Sequence, residues 1–163
     1  MGPPPDLPSL LLANRIIYIG MPLVPSVTEI IVAQLLFLNF HNSDEAITLY
    51  INSPGTNAVD GRPMSYDTEA FAIADTMLYI KPPIHTICVG QAVGTAAMLL
   101  SLGRKGSRCA LPNASIMLHQ PKSFVRGQAS DVVIKARETS SNRRVTNELI
   151  SKVSHDVGAS IRS

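Results

Sequence analysis

The chain has 163 residues, which suits a single domain. It is 45% hydrophobic and 16% charged with a formal net charge of +2, and no apolar run reaches the roughly 18 residues of a membrane span. Its scattered basic residues exclude a nucleic-acid-binding stripe, and its excess of apolar residues favours surfaces that are covered by associated subunits.

The N-terminal segment is rich in proline, a residue that fixes φ and lacks a backbone hydrogen-bond donor. We expect a flexible arm over residues 1–11 and one domain over residues 12–163. The β-branched run at 15–20 predicts a strand. Ser26 with Glu29 forms a capping-box pattern, which predicts a helix that is apolar nearly all round.

The rest of the chain continues to alternate between strand and helix patterns, which predicts an α/β fold with a largely parallel sheet. A long helix near the C-terminus is polar on every side in its middle, so we expect it to project from the domain. The predicted elements are a strand over 46–51, a surface loop over 56–67, a helix over 69–80 capped by Asp67 or Thr68, a strand over 84–89, a helix over 95–102, short strands over 107–110 and 115–119, and the long helix over 128–153.

The strand over 84–89 runs through small residues directly into a helix. Many hydrolases present a nucleophile at such a strand-to-helix turn, but here the corner is Gly94. Taken alone, Gly94 is a turn or packing glycine and His119 is a structural histidine. The chain shows no zinc-ligand spacing, phosphate loop or dinucleotide fingerprint, so we expect neither a metal nor a cofactor.

Several motifs at matching spacing extend this interpretation. They are Tyr50-Ile51-Asn52-Ser53-Pro54-Gly55, Gly90-Gln91-Ala92, Leu111-Pro112-Asn113, Met117-Leu118-His119-Gln120-Pro121 and Gly127-Gln128-Ala129-Ser130-Asp131. Over roughly residues 12–157 the chain resembles ClpP, the proteolytic subunit family of the Clp protease. The resemblance implies a crotonase-like fold of stacked βαβ units, with the helix over 128–153 as a protruding handle that joins two rings.

Active members of this family use a Ser-His-Asp triad. By resemblance, the serine position is Gly94 and the base position is His119, so both are relict positions. The family aspartate would lie beyond Ser163, and the C-terminal part of the family domain is missing from the sequence. The resemblance also implies backbone oxyanion donors at Thr56 and Thr95.

The resemblance also implies a docking surface for the Clp ATPase. Its candidate residues are Tyr50 and Tyr79, whereas Thr48 and Cys109 stand where active members carry aromatic side chains. Because aromatic side chains dominate the energetics of such contacts, we expect weaker or selective docking on this subunit.

Glycine at the serine position, together with a loop after Gly55 that is longer than in active members, is similar to the ClpR class. These are the non-catalytic ClpP paralogues of cyanobacteria and plastids. The expected function is therefore a non-catalytic structural or regulatory subunit of an ATP-dependent Clp-type serine protease core, acting in ring assembly, protein degradation and protein quality control.

The expected partners are paralogous ClpP and ClpR subunits in a hetero-oligomeric core of the tetradecameric type, together with a Clp ATPase chaperone. The expected location is the plastid stroma or the cyanobacterial cytoplasm. Two alternatives stay open at this point: an active ClpP-type serine endopeptidase, and a crotonase-type acyl-CoA enzyme, since that fold also stabilises oxyanions with backbone N–H groups.

Overall fold

Strands and helices alternate along the chain in a computed structural model, which describes residues 6–154 except 59, 61, 122 and 124. The elements are α1 (Leu7–Ala13), β1 (Ile16–Ile19), α2 (Pro25–His41), β2 (Ile47–Ser53), α3 (Asp67–Tyr79), β3 (Ile84–Val93), α4 (Thr95–Ser101), β4 (Arg108–Ala110), β5 (Ser115–Met117) and α5 (Ala129–Ser154). The predicted α/β class is confirmed, and each predicted strand and helix overlaps an observed one.

The five strands form one sheet in which every pairing is parallel. The order is β1, β2, β3, β4, and β5 also pairs with β3, beyond the end of β4. β5 is aligned with the last residues of β3, so that Val93 lies opposite Met117. In parallel α/β sheets the carboxyl ends of the strands are where ligands bind. Here that edge contains the end of β2, the end of β3 and the segment after β5.

The hydrophobic core lies between the sheet and the helices. Alternate side chains of β2 are buried and the intervening ones are half-buried, so the sheet has one fully covered face. On that face Leu49 packs in a cluster with Leu35 of α2, Ile73 of α3 and Leu99 of α4, all fully buried. Each such side chain contributes about 1.5–3 kcal/mol relative to an exposed position. The core therefore fixes α4, and with it the turn that precedes α4.

The long helix α5 packs on the hydrophobic core through its second half. Leu149 is only 7% exposed and belongs to the core, whereas Val133 and Ile134 in the first half are 50% and 65% exposed. The predicted helix is confirmed, and Val133 and Ile134 in its first half face no core formed by the described residues.

Two predictions near the N-terminus are wrong. Residues 7–11, predicted as part of a flexible arm, are helical in α1, because Pro8 lies in the first turn, where its missing N–H has no intrahelical partner to lose. Residues 1–5 lie outside the described residues. The capping box at Ser26 is also wrong, since α2 begins at Pro25 after Val24, with no side-chain cap.

Arg15 closes the other end of α2, which sequence analysis did not predict. It is 6% exposed, it has a φ of 59°, and its guanidinium donates hydrogen bonds to four backbone carbonyl oxygens. These carbonyls belong to Leu38, Asn42, Glu45 and Ala46. The Leu38 carbonyl also accepts the N–H of Asn42, and the other three carbonyls lie in the turn after α2. The guanidinium therefore ties the end of α2 to the turn that leads into β2.

Candidate functional site

The turn between β3 and α4 is made by Gly94, which has φ 58° and ψ −115°. A residue with a side chain is strained by about 1–3 kcal/mol in such a region, whereas glycine is not. The N–H of Gly94 donates to the carbonyl oxygen of Met117 at 2.8 Å, which ties the turn to the end of β5. The backbone thus has the sharp strand-to-helix form that carries the nucleophile in many hydrolases, without the side chain.

His119 lies directly over Gly94. A Cβ atom built on Gly94 would be 2.6 Å from Nε2 and 2.9 Å from Cε1 of His119, below the 3.0 Å limit that real Cβ contacts respect. The two relict positions named by the resemblance are therefore adjacent in space. The imidazole ring occupies volume that any side chain at position 94 would need.

Both ring nitrogens of His119 have hydrogen-bond partners. Nδ1 lies 2.8 Å from the carbonyl oxygen of Gln120, and Nε2 lies 3.2 Å from Nδ2 of Asn57. Since a carbonyl oxygen can only accept, Nδ1 carries the proton and Nε2 accepts from the Asn57 amide. A histidine base has this same tautomer in serine hydrolases. Here the amide of Asn57 takes the place of a donating serine hydroxyl.

The two threonines of the predicted oxyanion hole contact each other. The backbone N–H of Thr56 donates to Oγ1 of Thr95 at 3.0 Å, and the Thr95 hydroxyl lies 3.4 Å from Oγ1 of Thr56. The Thr56 hydroxyl in turn donates to Asp67 at 2.9 Å. Both threonines are buried. The Thr56 N–H is therefore already bonded within the chain rather than directed at an empty position.

The loop over residues 56–66, which we call the hairpin loop, folds back on itself beside this site. Met64 N–H and Ser65 N–H both donate to the carbonyl oxygen of Thr56 at 3.0 Å, and Asn57 pairs with Pro63 in an antiparallel bridge. The prediction of a surface loop is only partly right, because Asn57 is 8% exposed. The buried base of the loop reaches the site through Asn57.

A polar cleft of about 270 Å³ separates the hairpin loop from α5. Lys135 and Glu138 of α5 lie on one side and form an ion pair at 2.8 Å, and Tyr66 lies on the other. The ammonium nitrogen of Lys135 is 5.1 Å from the centre of the Tyr66 ring, a cation–π contact between the loop and the helix. The end of the loop is thus held to α5 as well as to the sheet.

The candidate ATPase-docking residues lie away from the turn, on separate elements. Tyr50 is half-buried in the middle of β2, and Tyr79 at the end of α3 is 77% exposed. Across the sheet, Tyr18, Tyr50, Ile87 and Cys109 are register partners in turn, which places them in one row. The row is aromatic on its β1 and β2 side and ends in the exposed thiol of Cys109.

Sequence analysis missed two residues that the structure brings to the site. Asn57 contacts His119 across a sequence separation of 62 residues, from a loop without periodic pattern. Asp67, which the sequence suggested as a helix cap, follows the N-cap residue Tyr66 and accepts a hydrogen bond from the Thr56 hydroxyl instead. None of the helices in the described part of the chain is both long and apolar enough to cross a membrane.

Comparisons with known proteins show which proteins this chain is similar to. The family model described as Clp protease matches residues 5–163. An ATP-dependent Clp protease proteolytic subunit-like protein of Synechococcus elongatus is 55% identical over 160 residues, which cover 92% of this chain and 70% of that protein.

Two further relatives come from a plant and from another cyanobacterium. The ATP-dependent Clp protease proteolytic subunit-related protein 4, chloroplastic, of Arabidopsis thaliana is 51% identical over 158 residues, 97% of this chain and 50% of that protein. The ATP-dependent Clp protease proteolytic subunit 2 of Gloeobacter violaceus is 46% identical over 149 residues, 91% of this chain and 65% of that protein. The chain thus spans about half the length of the Arabidopsis relative.

Proposed function

We propose that this chain, which belongs to the Clp protease family, is a non-catalytic core subunit of an ATP-dependent Clp-type serine protease. One observation carries the proposal: Gly94 stands at the nucleophile turn, and the ring of His119 fills the space above it. Proteolysis by a serine protease begins with attack of a side-chain oxygen on the peptide carbonyl. Without that oxygen, the chain contributes to ring assembly and protein degradation through its fold.

Thr95 does not supply a substitute nucleophile in this proposal. Its hydroxyl oxygen accepts the N–H of Thr56 at 3.0 Å, and its hydroxyl group is directed at the Thr56 side chain. A hydroxyl becomes nucleophilic when a base within hydrogen-bond reach removes its proton. The lone pair of His119 is engaged by Asn57 instead, which supports a subunit without a nucleophile over an active endopeptidase with a displaced one.

Exposed apolar side chains support assembly with other subunits. On α2, Phe37 and Phe40 are 54% and 83% exposed, and on α5, Val133 and Ile134 are 50% and 65% exposed. Exposed apolar groups on this scale are typical of surfaces that bind other proteins. We propose that paralogous ClpP and ClpR subunits cover them in a hetero-oligomeric core of the tetradecameric type, and that the catalytic members among them cleave the substrate.

Docking of the Clp ATPase on this subunit is proposed to be weak or selective. Tyr50 and Tyr79 offer aromatic surface, but Thr48 and the exposed Cys109 do not. Titration of the ATPase onto cores assembled with and without this chain measures the effect. An affinity per subunit that is undiminished in cores containing the chain would contradict weak docking.

The cyanobacterial and chloroplastic relatives support a location in the plastid stroma or the cyanobacterial cytoplasm. The division into an arm and one domain over residues 12–163 stays a prediction, apart from the helical residues 7–11.

Native mass spectrometry of the chain coexpressed with ClpP- and ClpR-type subunits tests the proposed function. We expect mixed rings that contain this chain and hydrolyse a fluorogenic peptide, and no hydrolysis by the purified chain alone. Exclusion of the chain from every ring would contradict its role as a core subunit. Turnover by the chain alone would contradict its lack of catalysis.

A further inference from the structure

Asn57 is held in a fixed position before it contacts His119. Its backbone pairs with Pro63, and the residue before it, Thr56, accepts two N–H groups from the returning strand of the hairpin loop at 3.0 Å each. The side chain is 8% exposed. A buried amide on a tied backbone has few alternative orientations, so the direction of its Nδ2 group is set by the loop.

The hydrogen bond from Asn57 consumes the one lone pair that a base at this site needs. Nδ1 of His119 is protonated because it faces the carbonyl oxygen of Gln120 at 2.8 Å, so Nε2 is the acceptor nitrogen. Nδ2 of Asn57 donates to that nitrogen at 3.2 Å. With both ring nitrogens engaged, the imidazole is held at two points in a single orientation.

That orientation places the ring where a reacting group would have to be. A Cβ atom on Gly94 would come within 2.6 Å of Nε2, so a side chain that carries a nucleophile does not fit at position 94 while the ring lies there. The nearby Thr56 N–H is likewise occupied by Thr95 at 3.0 Å. The Thr56 N–H and the lone pair of His119 are thus both engaged by other residues of this chain.

We propose that Asn57 is a positioning residue that latches His119 over Gly94 and so closes this site to peptide. The inference rests on the proposed function and deepens it, since it names a second barrier to catalysis beside the missing serine. The closed site requires the hairpin loop, because Asn57 belongs to that loop. If position 94 were serine, His119 would have to move away before it could act as the base that activates the serine hydroxyl.

Carbethoxylation with diethyl pyrocarbonate, followed by peptide mass spectrometry, tests the latch on the full chain. The reagent attacks an available ring nitrogen, and the exposed His41 provides an internal reference. We expect His119 to react more slowly than His41 in the folded chain and at a similar rate in urea. Asn57→Ala is expected to accelerate the reaction of folded His119 about fivefold by removing one hydrogen bond. Asn147→Ala, at an exposed position of α5, is the matched control and is expected to change nothing.

The latch is contradicted if His119 of the folded wild-type chain already reacts as fast, relative to His41, as it does in urea. It is also contradicted if Asn57→Ala melts like the wild type and leaves the His119 rate unchanged. If Asn57→Ala does not fold, the test rests on the wild-type chain alone, through the rate of His119 relative to His41 in the folded state and in urea. Peptide turnover by the purified chain would refute the proposed function. Rapid carbethoxylation of His119 in the folded chain, without peptide turnover, would refute only the latch.

Discussion

The hydroxyl oxygen of Thr95 lies 3.0 Å from the backbone nitrogen of Thr56 and accepts its hydrogen bond. The family resemblance implies this N–H as an oxyanion donor, a role in which it would have to point at a substrate oxygen. In this chain it is satisfied internally, next to an imidazole that is also satisfied internally. The turn therefore keeps its sharp strand-to-helix form, while the Thr56 N–H and both ring nitrogens of His119 have partners within the chain.

Removal of the Thr95 hydroxyl is expected to destabilise the fold. Thr95→Ala leaves the buried N–H of Thr56 without an acceptor, which costs about 1–3 kcal/mol of unfolding free energy. Thr95→Ser keeps the hydroxyl and is expected to cost less than about 1 kcal/mol, mostly from the lost methyl group. Urea unfolding of both variants measures the difference. Equal losses for alanine and serine would show that the hydroxyl contributes nothing at this position.

A side chain at position 94 is expected to be costly for two separable reasons. Gly94→Ala introduces backbone strain of about 1–3 kcal/mol and also a clash with His119. Gly106→Ala is the matched control, because Gly106 also has a positive φ of 82° but nothing lies within 4 Å of its added Cβ.

Denaturant unfolding should therefore show a larger loss for Gly94→Ala than for Gly106→Ala. The extra loss of unfolding free energy that Gly94→Ala shows over Gly106→Ala should become smaller in a background that carries His119→Ala, since that change removes the clashing ring. If both glycine variants lose the same stability, His119 does not crowd position 94.

Arg15 is expected to be irreplaceable by lysine. Its guanidinium donates to four carbonyl oxygens at the end of α2 and in the turn that leads into β2, and a lysine ammonium cannot reproduce that fork. Arg15→Lys should lower the unfolding free energy by about 2–3 kcal/mol. Arg144→Lys, in an exposed ion pair with Glu148, should lower it by less than about 0.5 kcal/mol. Similar losses for the two variants in thermal or urea unfolding would contradict this assignment.

The two cysteines are expected to differ in reactivity and in their effect on stability. Burial raises the pKa of the Cys88 thiol, whereas Cys109 is exposed. A disulfide reagent should therefore modify Cys109 rapidly and Cys88 only on unfolding. The pKa of Cys88 is raised in the folded state. The contribution of this thiol to the free energy of unfolding is therefore fully present below the ordinary thiol pKa and is lost as pH rises through the raised pKa.

Urea unfolding across that alkaline range should show a decline in the wild type that is smaller in Cys88→Ala, which lacks the titrating thiol. Cys109→Ala serves as the control and should keep the wild-type decline. Rapid modification of both thiols in the folded chain would contradict the burial of Cys88.

Much of the fold was predictable because its strands are β-branched runs and its helices carry apolar periodicity. The motifs also placed Gly94 and His119 correctly beside each other, through a family resemblance. The sequence does not predict helix α1, because proline usually breaks helices, although the first turn of a helix accepts it. The sequence pattern also placed the start of α2 at a serine cap that the structure does not use.

The closing contacts of the site were not predictable in the same way. Asn57 reaches His119 over 62 residues of chain, and nothing in a polar loop indicates which amide will face which ring. The Thr95 hydroxyl could serve as a helix residue, a nucleophile or an acceptor, and only the position of the Thr56 N–H decides among them. Tertiary contacts of single polar groups leave no periodic signal in a sequence.

Labelling of assembled cores with a fluorophosphonate probe tests the absence of a nucleophile in this chain most directly. The probe forms a covalent bond with an activated hydroxyl, and intact-subunit mass spectrometry reports which subunit carries it. We predict labelling of the proposed catalytic ClpP-type partners and none of this chain within the same core. A phosphonylated residue on this chain, at Thr95 or elsewhere, would contradict the assignment of a non-catalytic subunit.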